Sequence, residues 1–207
     1  MVESQALRDG KLVHMQILEP KKYKTLNFID VSSKRVKKWT EAVAEFGAEN
    51  TYTMKEKYIN NAISRAFLQN DACSKYLKGT DKEVGAIEVL DGVPFRGKAD
   101  ILGDDFVADL KTTNDGVDDQ GKKNAFEWTV QKYDYDLQAY LYTRLFNKPR
   151  FVWLVLDKTT TDIGIFEASD ELLERGKDKF DRIIDRYETF FVHGLVDLKQ
   201  LHVTKTI

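Results

Sequence analysis

At 207 residues, 42% hydrophobic and 12% aromatic, the chain is long enough to close one substantial core, and its 32% charged residues suit a water-facing surface. A net charge of −2 is not the global basic signature of a nucleic-acid binder. The lone Cys73 excludes an internal disulfide framework and a cysteine-ligated zinc or iron–sulfur centre from one chain, which makes a reducing cytoplasm the expected home. Taken in chain order, residues 3–18 predict a helix carrying Leu7, Val13, Ile17 and Leu18 and closed by Pro20. A second helix is expected over 34–47, starting basic and ending at Gly47. Thr53 and Glu56 have capping-box form and open a helix to about residue 69.

The period then changes. A strand is expected from Val84 to about residue 90, a type I′ turn at Asp91-Gly92, a return strand over 93–102, a turn at Gly103-Asp104 and a third strand over 106–112. A polar loop covers Asn114 to Lys123, and helical pattern covers 124–147 with a break near Tyr133-Asp134. Residues 151–157 are apolar enough for a buried central strand, 162–166 make a further strand, and Ser169 caps a helix over 170–191. The longest apolar runs, such as 151–156, are too short to cross a bilayer, and the N-terminus has no signal-peptide pattern. The order predicts an α/β fold: a central mixed β-sheet with an antiparallel three-strand meander, flanked by helices, with an N-terminal helical segment. We expect one domain over 1–207, with 1–80 mainly helical and 81–207 forming the core that carries the chemistry.

Charge is unevenly spread. Lys21, Lys22, Lys24, Lys34, Arg35, Lys37 and Lys38 face only Asp30 across residues 21–38, a local excess of six. Six aspartates between Asp104 and Asp119 crowd a stretch whose one cation is Lys111. A basic patch beside an acidic cluster suits a metal-using enzyme on a polyanion; on charge alone the plainer reading is a solvated helix face and an acidic loop.

Asp109 and Lys111 are two apart on a strand, so both project from one face. Asp100 ends the preceding strand, one tight turn away, where it can sit beside Asp109. Two carboxylates at that distance repel unless a cation lies between them, and hard oxygen ligands without thiolates point to Mg²⁺ or Mn²⁺. The Leu110 carbonyl can add an oxygen, and Lys111 can orient the attacking water or stabilise phosphoryl charge. A bare Asp-x-Lys is commonly a solvent-exposed pair, but here Phe106, Val107, Ala108 and Leu110 make the strand apolar, and buried charge is costly unless paired or metal-bound. Gln138 and Tyr142 share one helix face and can contact phosphate or the attacking water; taken alone, they read as an amphipathic helix with Leu137, Leu141 and Leu145 inward and tyrosines at its margin. His14 alone reads as a structural histidine of an amphipathic helix.

The strings Phe95-Arg-Gly-Lys-Ala-Asp100, Asp109-Leu-Lys-Thr-Thr113 and Tyr135-Asp-Leu-Gln138-Ala-Tyr-Leu-Tyr142, in that order, resemble the PD-(D/E)XK nucleases. Within them the chain is similar to the RecB-like and RecE-type (exonuclease VIII-like) phage exonucleases, which also carry a G-x-x-x-H helix followed by Leu-Glu-Pro; Gly10 and His14 through Pro20 fit that pattern. Ala99 departs from the proline of the family's name. The resemblance implies a restriction-endonuclease-like core and assigns roles residue by residue: Asp100 and Asp109 as metal ligands, Lys111 as catalytic lysine, His14 as a further ligand, and Gln138 and Tyr142 at the DNA phosphate or supporting the site. Glu83 matches a glutamate near the metal in some relatives, with Glu88 competing for that role.

The activity so implied is Mg²⁺-dependent exonucleolytic hydrolysis at duplex DNA ends, 5′→3′, in phage or bacterial recombination or repair, with one or two ions about 3.5–4 Å apart if two. Mn²⁺ is the expected substitute. The basic stretch Lys21 to Lys38 would hold the sugar–phosphate backbone without sequence preference. A ring trimer or tetramer, a single-strand annealing partner, no membrane and a phage-encoded protein in the bacterial cytoplasm complete the expectation. The alternatives are a structure-specific or single-strand endonuclease of the same chemistry, and a catalytically silent DNA-end-binding protein.

Overall fold

A helix leaves its first N–H groups without partners, and side chains here satisfy them in turn. In the computed structural model, which describes residues 4–114, 116–117 and 125–192, the Ser4 hydroxyl accepts from the Leu7 N–H and opens α1, Gln5–Leu18, which buries Leu12, Val13, Met15, Ile17 and Leu18. Pro20 starts the single turn α2, Pro20–Tyr23. Then come β1 (Asn27–Ile29), α3 (Lys37–Phe46) and β2 (Thr51–Thr53), with β1 and β2 paired in parallel, a ladder the sequence pattern does not reveal. The helix expected from residue 34 begins at 37, because Ser33 holds a turn through the Arg35 and Val36 N–H groups. Thr53 and Glu56 form the expected capping box at the start of α4, Met54–Gln69. Asn70 caps α5, Asp71–Leu77, by accepting from the Cys73 N–H.

The main sheet begins with β3 (Asp81–Leu90), three residues earlier than expected, then β4 (Val93–Leu102) and β5 (Phe106–Thr113). Asp91 and Gly92 both have positive φ, 49° and 79°, as a two-residue type I′ hairpin requires. Next come α6 (Ala125–Lys132) and α7 (Tyr135–Leu145), separated at Asp134, which has φ 54°. β6 (Arg150–Asp157), β7 (Ile163–Glu167) and α8 (Asp170–Tyr187) follow. The helix expected to residue 191 changes to a π turn at Glu188–Val192, where the Thr189 hydroxyl donates to the Asp185 carbonyl and competes with the backbone ladder. The polar loop 118–123, Asp115 and the residue at which helical pattern was expected to begin, 124, lie outside the described residues.

Strand order is β3-β4-β5-β6-β7. β3, β4 and β5 form the antiparallel meander, β5 and β6 are parallel with α6 and α7 in their crossover, and β7 returns antiparallel. Both faces of the central strands are covered. On one, Val13, Ile17, Leu18, Ile63 and Phe67 close on Ile101, Ala108, Leu110 and Leu154. On the other, Phe126, Val130 and Ala139 close on Ala99, Val107, Phe151 and Trp153. The chain is thus a mixed α/β fold with a central mixed sheet between helical layers. Among the described residues, no helix is long and apolar enough to cross a membrane.

Candidate active site

The β4–β5 ladder holds only Leu102 against Val107 and Ile101 against Ala108. The next pair in that register is Asp100 and Asp109, and there the ladder stops. The Leu110 N–H donates to Asp100 Oδ2 at 2.8 Å. Side-chain alternation also breaks: Ala99 packs in the layer beneath α7 while Ile101 packs beneath α1, although regular strand residues two apart share a face. Opposite Asp100 in the β3 register, Glu83 has φ 56°, a left-handed conformation that costs a non-glycine residue of order 1–3 kcal/mol and clusters at functional sites. Both distortions lie at the level where Glu83 and Asp100 enter one cleft.

α1 closes that cleft. A Cβ added at Gly10 would stand 3.2 Å from Thr112 Oγ1, so the helix lies close over β5 at this point. One turn later His14 comes to the carboxylates, with Nδ1 at 3.4 Å from Asp100 Oδ2. One atom each from His14, Glu83 and Asp100 lie within 4.8 Å of one another. Burial pushes the Asp100 carboxyl up to about 6, the Asp109 charge adds to that, and His14 and the Leu110 N–H oppose it. An imidazole nitrogen and two carboxylates fit a divalent cation and disfavour a soft thiophilic metal.

α7 supplies the second wall. Gln138 Nε2 donates to Asp109 Oδ1 at 2.8 Å, and Lys111 Nζ lies 2.9 Å from Asp109 Oδ2 as an ion pair. Burial works against the Lys111 charge, but the Asp109 carboxylate outweighs it and holds the ammonium above its usual range. Lys111 Nζ also stands over the Tyr135 ring, 4.5 Å from its centroid. Tyr142 packs its ring beside Gly97, where an added Cβ would meet Tyr142 Cζ at 3.4 Å and Leu145 Cδ2 at 2.6 Å. Burial raises the Tyr142 phenol, a backbone hydrogen bond at Lys98 opposes this, and the Asp109 and Asp100 charges raise it further. Gln138 Oε1 is buried with no hydrogen-bond partner among the described residues.

A cleft of about 710 Å³ is lined by His14, Glu83, Asp100, Asp109, Leu110 and Lys111. Gln138 and Tyr142 stand behind it. Glu88 pairs with Phe95 toward the far end of the hairpin, so Glu83, not Glu88, is the glutamate brought to the carboxylates. The basic stretch is divided. Lys22 lines the cleft, 3.3 Å from Glu19. Lys34 is bound to Glu56 at 2.7 Å and lies over Trp39, while Lys37 pairs with Glu41 at 3.5 Å and Lys38 donates to the Asp30 carbonyl. Lys21, Lys24 and Arg35 are exposed. Two residues that touch the site groups escape sequence reasoning: Tyr135 beside Lys111, and Lys98 in the cleft. Tyr135 lies three residues before Gln138, on the same helical stripe, and Lys98 lies two before Asp100, on the same strand face, where its ammonium pairs with Glu83. That spacing was the available signal for both.

Residues 2–193 match the model of a family described as a PDDEXK-like domain of unknown function. A protein from Eubacterium rectale, provisionally called an exonuclease, aligns with all 100% of this chain over 78% of its own, with a TM-score of 0.66 and 18% identity. An alkaline exonuclease from Laribacter hongkongensis aligns with 89% of this chain and 100% of its own, with a TM-score of 0.38 and 14% identity. The first likeness shows a shared fold. No curated protein matches the chain.

Proposed function

The chain belongs to the PDDEXK-like domain family, and from that premise we propose that it is a Mg²⁺-dependent deoxyribonuclease that degrades duplex DNA from its ends. The observation that carries this reading is the meeting, where β4 and β5 part, of Asp100 and Asp109 with the Lys111 ammonium 2.9 Å from Asp109. A relic binding site would have no need to keep a half-buried lysine against a carboxylate that a glutamine also holds.

His14, Glu83 and Asp100, with Asp109 and the Leu110 carbonyl beside them, are the groups that would hold the ion. Bound there, a divalent cation supplies Lewis acidity to the scissile phosphate and lowers the pKa of the attacking water. The protein does the rest. The Leu110 N–H fixes the Asp100 carboxylate. Gln138 fixes Asp109, and Asp109 with the Tyr135 ring fixes the Lys111 ammonium. Lys111, so placed, neutralises charge that builds on the phosphoryl oxygens and orients the attacking water for in-line displacement. Burial of the pair keeps that electrostatic contribution from being screened by solvent. Lys22 at the cleft mouth, with the exposed Lys21, Lys24 and Arg35, holds backbone phosphate without reading sequence.

The test is digestion of a strand-labelled linear duplex with Mg²⁺, beside covalently closed circles of the same DNA. We expect mononucleotides or short oligonucleotides from the linear substrate, with the 5′-ended strand lost first, and intact circles. Cutting of closed circles would replace the exonuclease reading by an endonuclease one, and no hydrolysis of any DNA with Mg²⁺ or Mn²⁺ would end the enzyme reading.

A further inference from the structure

The β3–β4 hairpin has one covered face and one bare face. Val93 and Phe95 pack against Phe180 of α8, Gly97 lies under Leu145 of α7, and Ala99 joins the core beneath it. Alternation therefore puts Pro94, Arg96 and Lys98 on the opposite face, which ends at Asp100. Their partners across the ladder are Val89, Ile87 and Gly85. Ile87 and Val89 are 74% and 68% exposed, so two large aliphatic side chains stand in solvent beside two cations. Gly85 offers no side chain and an added Cβ would meet nothing within 4 Å, which leaves a shallow groove of about 480 Å³ between Ile87, Arg96 and Lys98. Lys98 lines this groove and the cleft alike. Arg96 makes no ion pair or hydrogen bond among the described residues. Glu88, which pairs with Phe95, projects to the other side of the hairpin, where it is itself exposed.

We propose that this bare face is a track that leads one strand of nucleic acid into the cleft, with Arg96 and Lys98 on successive phosphates and Ile87 and Val89 against bases or sugars. Side chains two apart on a strand are about 6.6 Å apart, a distance one nucleotide of a stretched single strand spans. A guanidinium unpaired among the described residues, on an uncovered face, with the Lys98 ammonium held by Glu83 between it and the cleft, is complementary to a polyanion. Exposed aliphatic groups cost little in that setting because a separated strand offers unstacked bases to cover them. The direction of the track rests on the nuclease reading, since the strand's destination is the Asp100 cleft.

Binding of a short fluorescent single strand, followed by anisotropy over a NaCl series without divalent ion, separates the track from catalysis. Arg96→Ala should weaken binding about fivefold and lower the slope of log K against log salt by about 0.7, one phosphate contact on a single strand. Ile87→Ser with Val89→Ser should weaken binding with an unchanged slope, because an apolar contact releases no counterion. Circular dichroism shows that each variant is folded. Unchanged affinity in both folded variants overturns the proposal. So does a change in sedimentation mass of the Ile87/Val89 variant with affinity intact, which would make the face a contact between copies of this chain. Wild-type protein that binds through Arg96 but hydrolyses no DNA keeps the track and overturns the nuclease reading; hydrolysis with Arg96-independent binding does the reverse.

Discussion

Gly176→Ala tests how tightly α8 sets the position of α7, and through it the site. A Cβ at Gly176 would lie 2.2 Å from the Asp136 carbonyl oxygen and 2.8 Å from its carbon. That is roughly 1 Å inside van der Waals contact, against backbone that cannot rotate away. Alanine in a helix interior gains about 1 kcal/mol over glycine. Overpacking of this kind costs about 3 kcal/mol, the upper part of its usual range. The difference is a destabilisation of about 2 kcal/mol, or a fall of about 1 M in the urea midpoint at a slope near 2 kcal/mol/M. Relief requires α7 to move, and α7 carries Tyr135 and Gln138, so the 2.8 Å bond from Gln138 to Asp109 should lengthen and hydrolysis fall with stability. Gly85→Ala, which meets nothing within 4 Å, is the control and should leave the midpoint in place. A midpoint unchanged or raised in Gly176→Ala would refute the reasoning, since helix propensity would then outweigh the clash.

Three further outcomes are expected. Lys111→Met should lower DNA hydrolysis by at least about 100-fold with the circular dichroism spectrum retained, measured on linear duplex with Mg²⁺; full activity would remove Lys111 from the site. Burial alone would raise the Glu56 carboxyl, but hydrogen bonds from Lys34, the Thr53 N–H, Gln5 and the Thr53 hydroxyl outweigh it and pull it down to about 2. A depressed carboxylate contributes stability that is fully present above its unfolded value, about 4.3, and is lost as pH falls toward the folded value. Thermal melts should therefore show wild-type stability falling more steeply than Glu56→Gln between about pH 4.3 and 2; parallel curves would contradict this. Cys73 is fully buried and burial pushes its thiol up to about 11, so iodoacetamide should label it only when urea opens the chain; rapid labelling of native protein would show otherwise.

Much of this was legible because local chemistry and tertiary structure agree. Thr53 and Glu56 cap α4 whatever packs on it, Asp91-Gly92 dictates a hairpin, and a carboxylate and an ammonium in the apolar strand 106–113 mark a place where burial must be compensated. Other features depend on partners far along the chain. β1 and β2 are three residues each and exist only by pairing with one another. Glu83 is left-handed at the level of the cleft, a conformation that no propensity forecasts for a glutamate. The basic run from Lys21 to Lys38 looks continuous in one dimension, yet Lys34 is drawn to Glu56 while Lys22 reaches the cleft. Arg96 and Lys98 share a bare face only because of the hairpin pairing and of what packs on its other side.

The account depends on His14, Glu83 and Asp100 acting together as a seat for a divalent cation. Calorimetric titration of Mn²⁺ into the folded protein measures that without reference to catalysis. We expect saturable uptake in the wild type, weakened in His14→Ala and abolished in Asp100→Asn. Equal uptake by all three proteins, each folded by circular dichroism, would contradict it.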